Sequence, residues 1–354
     1  MKNTKEDKWI LVSCLQKSIR KGFTELAQSY AEKLYELERS YLLYRLSIIA
    51  IEDIGLGNIK LVHDFLSTEI RKANIEDRGG KDYVLSVVRD LCESVKDRSA
   101  CDLVSLASFY QEKTNINKSH EEIFIDDQSP VVNRVLAGWE ILGAKTLKNP
   151  LVKNSENNDL DRFLELNRQI VNDPIIIETI KFAHKIHREP HFISLGLLSY
   201  LYNKEKDNKM KIGKFETGQY VEKKYPILMV QNKWLIDGID WHTKEGKSAI
   251  YDFCNENNEL IKYLKTMVID KETIASIVGM LLFRQNGHQV DKRLVYPTAI
   301  VILKMTEKMT FKEITVNENA DFFKALSLIE PVIPNLNKYI EKKFTTADPQ
   351  YFPF

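Results

Sequence analysis

Two phrases within the first sixty residues decide how this chain is read: Leu11-Val-Ser-Cys-Leu-Gln-Lys-Ser-Ile-Arg-Lys-Gly22 and Tyr41-Leu-Leu-Tyr-Arg-Leu-Ser-Ile-Ile-Ala-Ile-Glu-Asp-Ile-Gly-Leu-Gly-Asn58. In the first, Trp9, Val12, Leu15 and Ile19 recur at helical spacing and form one apolar stripe, with Lys17, Arg20 and Lys21 off it. Basic residues in the last turn offset the negative end of the helix dipole, and Gly22 ends the helix by adopting the left-handed conformation. Thr24 then opens a second helix with Ala27, Tyr30, Ala31 and Leu34 inward. The second phrase predicts a third helix, with Leu42, Leu46, Ile49 and Ala50 inward and Gly55 as its stop. Three helices with short joints predict a small bundle.

The order and spacing of these residues resemble the start of the C-terminal domain of the RarA/MgsA/WRNIP family of replication-associated recombination ATPases, relatives of the clamp loaders. The likeness is carried by Lys17, Ser18, Ile19 and Arg20, then Arg45 and Leu46, then Glu52, Asp53, Ile54, Gly55 and Leu56. It covers about the first sixty residues and fades beyond about residue 110. In that family this domain is a helical collar through which subunits oligomerise, with ATP hydrolysis in a separate N-terminal module. The resemblance therefore implies a collar without its motor. It also implies a second copy of the chain, or a replication or repair protein, as partner, with DNA as a further one.

No phosphate-binding loop of the G-x-x-x-x-G-K-[ST] type is present. The nearest string, Glu245-Gly246-Lys247-Ser248, has Trp241 where the first glycine must stand, so the backbone cannot wrap a phosphate there. It reads as the start of a helix.

Bulk properties bound the rest. The 354 residues allow one large or two ordinary domains, and 44% hydrophobic content is ample for a core. With 51 basic against 50 acidic residues, no global field draws the chain to nucleic acid or membrane. Cys14, Cys92, Cys101 and Cys254 lack C-x-x-C spacing and sit in apolar helical contexts, so they read as reduced and buried. No leader-like apolar start and no membrane-length apolar run is visible, and the expected location is cytoplasmic.

The predicted class is mainly α, with a collar-like helical bundle over 1–113, a middle helical region over 129–203, and a C-terminal helical region over 204–354. A small β element is expected near 210–236, with a hairpin around Lys211 to Val221. Helix starts are signalled by Asn58, Ser99, Ser129-Pro130, Asp173-Pro174, Thr243 and Asp270. The acidic run 114–128 and the asparagine-rich run 148–159 read as a boundary and a linker.

Five constellations bear on chemistry. His184, His187 and His191 have partial metal-ligand spacing, but no carboxylate or cysteine ligand accompanies them; neither metal nor cofactor is expected. Asp237, Asp240, His242, Thr243 and Glu245 cluster at a turn, where Asp240 can orient His242 for acid–base work. The competing reading makes them caps of a helix entrance. Glu52 and Asp53 at a helix end, with Arg45, Arg20 or Lys17 as partners, read as a structural ion-pair motif closed by Gly55. Lys17, Arg20 and Lys21 are candidates for phosphate contact, with Lys338, Lys342, Lys343 and the run Arg284 to His288 behind them. Finally, Gln350, Phe352 and Phe354 resemble the glutamine-led, aromatic tails that bind sliding clamps, although Pro353 stands where leucine is usual. The alternative is an aromatic tail tucked against its own domain.

Overall fold

The computed structural model describes residues 5–69, 73–110, 118–143, 158–186, 190–207, 211–212, 215–216, 220–268, 270–315 and 320–345. The chain is mainly α-helical, and its described strands form three two-stranded antiparallel pairs. Its contacts sort it into two units. One joins Met1–Arg39, Lys224–Val290 and Thr310–Phe354; the other joins Ser40–Lys223 and Asp291–Met309. These units cut across the linear segments 1–113, 129–203 and 204–354. The physical reason lies in the opening stretch, where the helix run Thr24–Ile49 breaks at Glu38, whose backbone is extended (φ −160°, ψ 79°). Helical stretches lie on both sides of the break, as the sequence suggests, but they belong to different units rather than to one bundle.

In the first unit, helix Lys5–Arg20 buries Leu11, Val12, Leu15 and Ile19, and Gly22 takes the left-handed conformation at φ 69°. Trp9 departs from the expected stripe and is 60% exposed. The packed face at this end of the helix runs through Ile10 and Leu11 instead. Helices Lys244–Phe253, Glu259–Lys265, Lys271–Leu282, Phe322–Ile329 and Ile333–Thr345 enclose a core around Phe253, Ile277, Leu281, Phe311 and Leu336. Thr243, Asn258, Asp270 and Asp321 cap four of them through side-chain oxygens, each meeting an otherwise orphaned backbone N–H.

The hairpin Met229–Val230 with Trp234–Leu235 turns through Gln231 and Asn232, at φ 52° and 51°. Left-handed backbone is unusual for glutamine. Gln231 is held there by donating its side-chain amide to the Phe344 carbonyl at 2.6 Å. The outer edge of Trp234–Leu235 is closed by Tyr30, whose hydroxyl donates to Lys233 O at 3.1 Å and accepts Leu235 N at 2.8 Å.

In the second unit, helix Ile59–Glu69 packs on Pro174–Ile186, and His120–Ile125, Val131–Leu142 and Leu160–Ile170 pack on one another around Phe124, Phe163 and Trp139. Helix His120–Ile125 lies inside the expected boundary, opened by a capping box between Ser119 and Glu122. The hairpin expected over 211–221 is divided: Lys211–Ile212 pairs with Phe215–Glu216, whereas Tyr220–Glu222 pairs with Lys292–Leu294.

The second phrase ends in a π-helical turn, Ala50–Ile54, followed by the 3₁₀ turn Gly55–Asn58. Gly55 has φ 46°, and a Cβ there would lie 3.1 Å from the Asp97 carbonyl oxygen. The conformation therefore requires glycine, and the close approach of Asp97 adds to the strain any side chain would meet. The segment Ser94–Ser99 is tied to this turn on one side and to strand Lys292–Leu294 on the other. Asp97 N donates to Ile54 O at 3.2 Å, Lys96 N to Lys292 O at 2.7 Å, and Leu294 N to Lys96 O at 2.9 Å.

Arg98 is drawn inside by this arrangement. Its guanidinium bonds Asp53, lies 3.6 Å from Glu52 and 3.2 Å from Cys101 Sγ, and both Arg98 and Asp53 are buried. Arg98 is a partner of Asp53 that the expected set of Arg45, Arg20 and Lys17 leaves out; Arg45 is half-buried. Ser99 is not the cap of its helix. Its N–H and hydroxyl both donate to Asp97 Oδ1, at 3.0 and 2.6 Å, and its hydroxyl also meets Tyr296 OH at hydrogen-bond distance. Burial pushes the Asp97 carboxyl up, against the lowering effect of those Ser99 bonds.

Removing one partner of a buried ion pair strands the other, at about 3–5 kcal/mol. Arg98→Ala is thus expected to lower the unfolding free energy measured in urea by that amount, and substitution of the half-buried Arg45 by alanine to lower it by clearly less. Equal losses would show that Arg98 is not the main partner of Asp53.

Candidate functional site

The turn between Asp237 and Thr243 is built by three constraints. Leu235 leads into a 3₁₀ turn, Ile236–Gly238, that lies against helix Lys5–Arg20. The approach is so close that a Cβ on Gly238 would fall 2.4 Å from Cys14 Sγ, so only glycine fits. Beyond it, Thr243 caps helix Lys244–Phe253 by accepting Gly246 N at 3.1 Å, while its own hydroxyl donates to Asp240 O at 2.8 Å.

Asp240 is the centre of the turn. Its Oδ1 accepts the His242 backbone N–H at 2.9 Å and faces His242 Nδ1 at 3.1 Å; its Oδ2 lies 2.6 Å from Lys17 Nζ. Lys17 also donates to Ser13 Oγ at 3.0 Å. Burial pushes the Asp240 carboxyl up, yet the Lys17 ammonium and the His242 bond outweigh it and hold the group below the usual carboxylate range. Lys17 is pulled below its ordinary value by burial, against the raising effect of Asp240.

One helical turn on, Lys21 pairs with Asp237, and its ammonium sits 4.9 Å from the Tyr225 ring centroid. Arg20 donates to the Gly287 carbonyl at 2.7 Å. Lys17, Arg20 and Lys21 are all buried. The charged ends expected to meet DNA phosphates face protein groups in this structure, because Lys17 and Lys21, four apart on the helix, meet the two turn aspartates and Arg20 meets the Gly287 carbonyl.

The run Arg284 to His288 lies mostly in a second π-helical turn, Phe283–Gly287. Phe283 stands edge-on to His242 at 5.1 Å and to His288 at 6.0 Å, with Lys17 and Arg20 5.5 and 5.8 Å from its ring centroid. Arg284 Nη1 and His288 Nδ1 share a hydrogen bond. Sequence reasoning singled out this run but missed Phe283, the ring that these groups surround. An aromatic closing the apolar helix Lys271–Leu282, just ahead of Arg284, is the signal that was there.

Chemically, the site offers one carboxylate-oriented imidazole with its ring 53% exposed. Among the described residues, Asp240 is its hydrogen-bond partner, and no hydroxyl or thiol donates to it. The thiol packed against this turn, Cys14, is buried, and burial pushes it up to about 12, out of nucleophilic range at neutral pH. His184 bonds Asn158 at 2.9 Å, and His187 lies outside the described residues, as do Gln350, Phe352 and Phe354. Among the described residues no group of three His, Cys, Asp or Glu side chains is placed to hold a metal, and no helix is long and apolar enough to cross a membrane. No family model, curated protein or solved structure matches this chain.

Asp240 gives a pH signature with a definite sign. Its folded-state carboxyl titrates below the ordinary value of about 4, so its contribution is full above that pH and is lost as pH falls from there through the lower folded-state value. Asp240→Asn should lower the melting temperature at pH 6 and flatten its decline between about pH 5 and 2. A parallel decline in both proteins would show that Asp240 is not ion-paired.

Proposed function

We propose that this chain is a non-enzymatic helical protein that works in DNA replication, recombination or repair by assembling with copies of itself or with a replication protein. The reading is supported first by the resemblance of Trp9–Asn58 to the collar domain of the RarA/MgsA/WRNIP ATPases. The observation that carries it further is where the resembling residues go. Lys17, Arg20, Asp53 and Gly55 are all buried, in ion pairs, backbone bonds or a close turn. Residues so placed maintain a shape, as an assembly domain requires, and are not available to a substrate.

A second reading, an enzyme acting on nucleic acid or nucleotides, is favoured by one observation: the exposed His242 ring aligned by the buried Asp240 carboxylate. A carboxylate in that position fixes the imidazole tautomer and stabilises its protonated form, as general acid–base catalysis needs. Against it stands Lys17, which already neutralises the same carboxylate.

Two measurements separate the readings. Light scattering across a concentration series, with an affinity capture from a replication-competent extract, should give more than one subunit or recover clamp-loader or single-strand-binding components. A strict monomer that captures neither contradicts the assembly reading. His242→Ala should leave folding, association and biological activity near normal. If the folded variant still associates but is inactive, by a hundredfold or more in rate, the enzyme reading holds instead.

A further inference from the structure

The hairpin Met229–Val230 with Trp234–Leu235 has one edge closed and one open. In an antiparallel pair, residues whose polar backbone groups face the neighbouring strand alternate with residues whose groups face away. Leu228 O accepts Ile236 N at 2.8 Å and Val230 O accepts Lys233 N at 3.0 Å, so Leu228 and Val230 turn inward. Ile227 and Met229 therefore turn outward on one edge, and Lys233 and Leu235 on the other. Tyr30 satisfies the second of these through Lys233 O and Leu235 N. Among the described residues, no hydrogen bond engages the outward N–H or C=O of Ile227 or Met229.

Charged residues and proline are the common guards of such an edge. Residues 226–230 carry no charge, and Ile227 and Leu228 are 55% and 46% exposed. Pro226 is present but out of phase. It alternates with Leu228, so the N–H it lacks would have pointed inward, and the outward ladder loses no donor.

The edge is also complementary to itself. Two copies laid antiparallel about a two-fold axis through Leu228 set Ile227 of each opposite Met229 of the other. Both residues present outward donors and acceptors, so backbone hydrogen bonds close on both sides of the axis. Leu228 then faces its own counterpart, and Pro226 faces Val230. No like charges meet along the pairing.

We propose that residues 226–230 are the edge on which a second copy of the chain docks, joining two hairpins into one four-stranded antiparallel sheet. The proposal rests on the assembly reading and names a surface for it. A second copy is favoured over an unrelated extended segment because it brings the matching register, the apolar side chains and the lack of charge with it. A strand this short makes a small interface, so the dimer forms reversibly and depends on protein concentration.

Cysteine crosslinking reads the register directly. Residues that face each other without exchanging hydrogen bonds lie about 4.5 Å apart at Cα, within the span of a disulfide. Under mild oxidation, Leu228→Cys should give a linked dimer at least about tenfold faster than Lys247→Cys, an exposed position on helix Lys244–Phe253. In sedimentation equilibrium the parent should show a monomer–dimer equilibrium. Leu228→Asp sets two carboxylates against each other on the axis and should weaken it by about tenfold or more. Hydrogen exchange at Ile227 and Met229 should slow as the parent is concentrated.

Protection there that ignores concentration overturns the proposal, by assigning the edge to the chain itself. If the parent associates but Leu228→Asp associates equally well, or Leu228→Cys links no faster than Lys247→Cys, this edge is wrong and the assembly reading stands. A parent that stays monomeric also overturns the edge, and the assembly reading then falls with it unless the monomer captures a replication protein.

Discussion

An ammonium group that leaves water keeps its charge most readily beside a carboxylate, and in the first unit that constraint is met twice on one helix face. Lys17 meets Asp240 and Lys21 meets Asp237. Such pairs contribute little net stability, because desolvation offsets their attraction. What they fix is register. Lysines four apart face aspartates three apart across a 3₁₀ turn, and sliding the helix by one turn would leave a buried charge unmatched on each side. Gly238 against Cys14 makes the approach possible, and Tyr30 holds the hairpin that delivers the turn. The helix from Lys244, its Thr243 cap and the orientation of His242 all follow from where Asp240 is held.

The second unit applies the same logic with different residues. Arg98 is buried against Asp53 at the end of a π-helical turn, and the positive φ of Gly55 lets the chain pass beneath Asp97. In both units charged residues that make the sequence look functional are inside: Lys17, Arg20 and Lys21 in the first, Asp53 in the second. Their pairing explains why a chain with nearly balanced charge places lysine, arginine and aspartate at buried positions without leaving them unmatched.

Local signals were legible where the physics is local. Helix class, the caps at Thr243 and Asp270, the left-handed Gly22 and the glycine stop at Gly55 follow from residue type and spacing, and the structure places them so. The misread features depend on distant chain. Lys17, Arg20 and Lys21 lie off the apolar stripe and look solvated, and their partners, the turn at 237–240 for the two lysines and Gly287 for Arg20, are all more than two hundred residues away in sequence. Arg98 was passed over because Ser99 beside it mimics a cap. Trp9 was misplaced because Ile10 and Leu11, equally apolar, carry the buried face at that end of the helix. The division into units was hidden for a similar reason: a one-residue break at Glu38 leaves no proline or glycine to announce it. In the candidate site, the Asp240–His242 contact was readable from a spacing of two, whereas Phe283 and Lys17 around it were not.

The account rests on Lys17 and Asp240 acting as a pair, which a double-mutant cycle in urea measures directly. Lys17→Met and Asp240→Leu should each lower stability by about 3–5 kcal/mol. The double variant should lose much less than their sum, giving a coupling above about 1.5 kcal/mol. Additive losses, or singles that unfold like the parent, would contradict it.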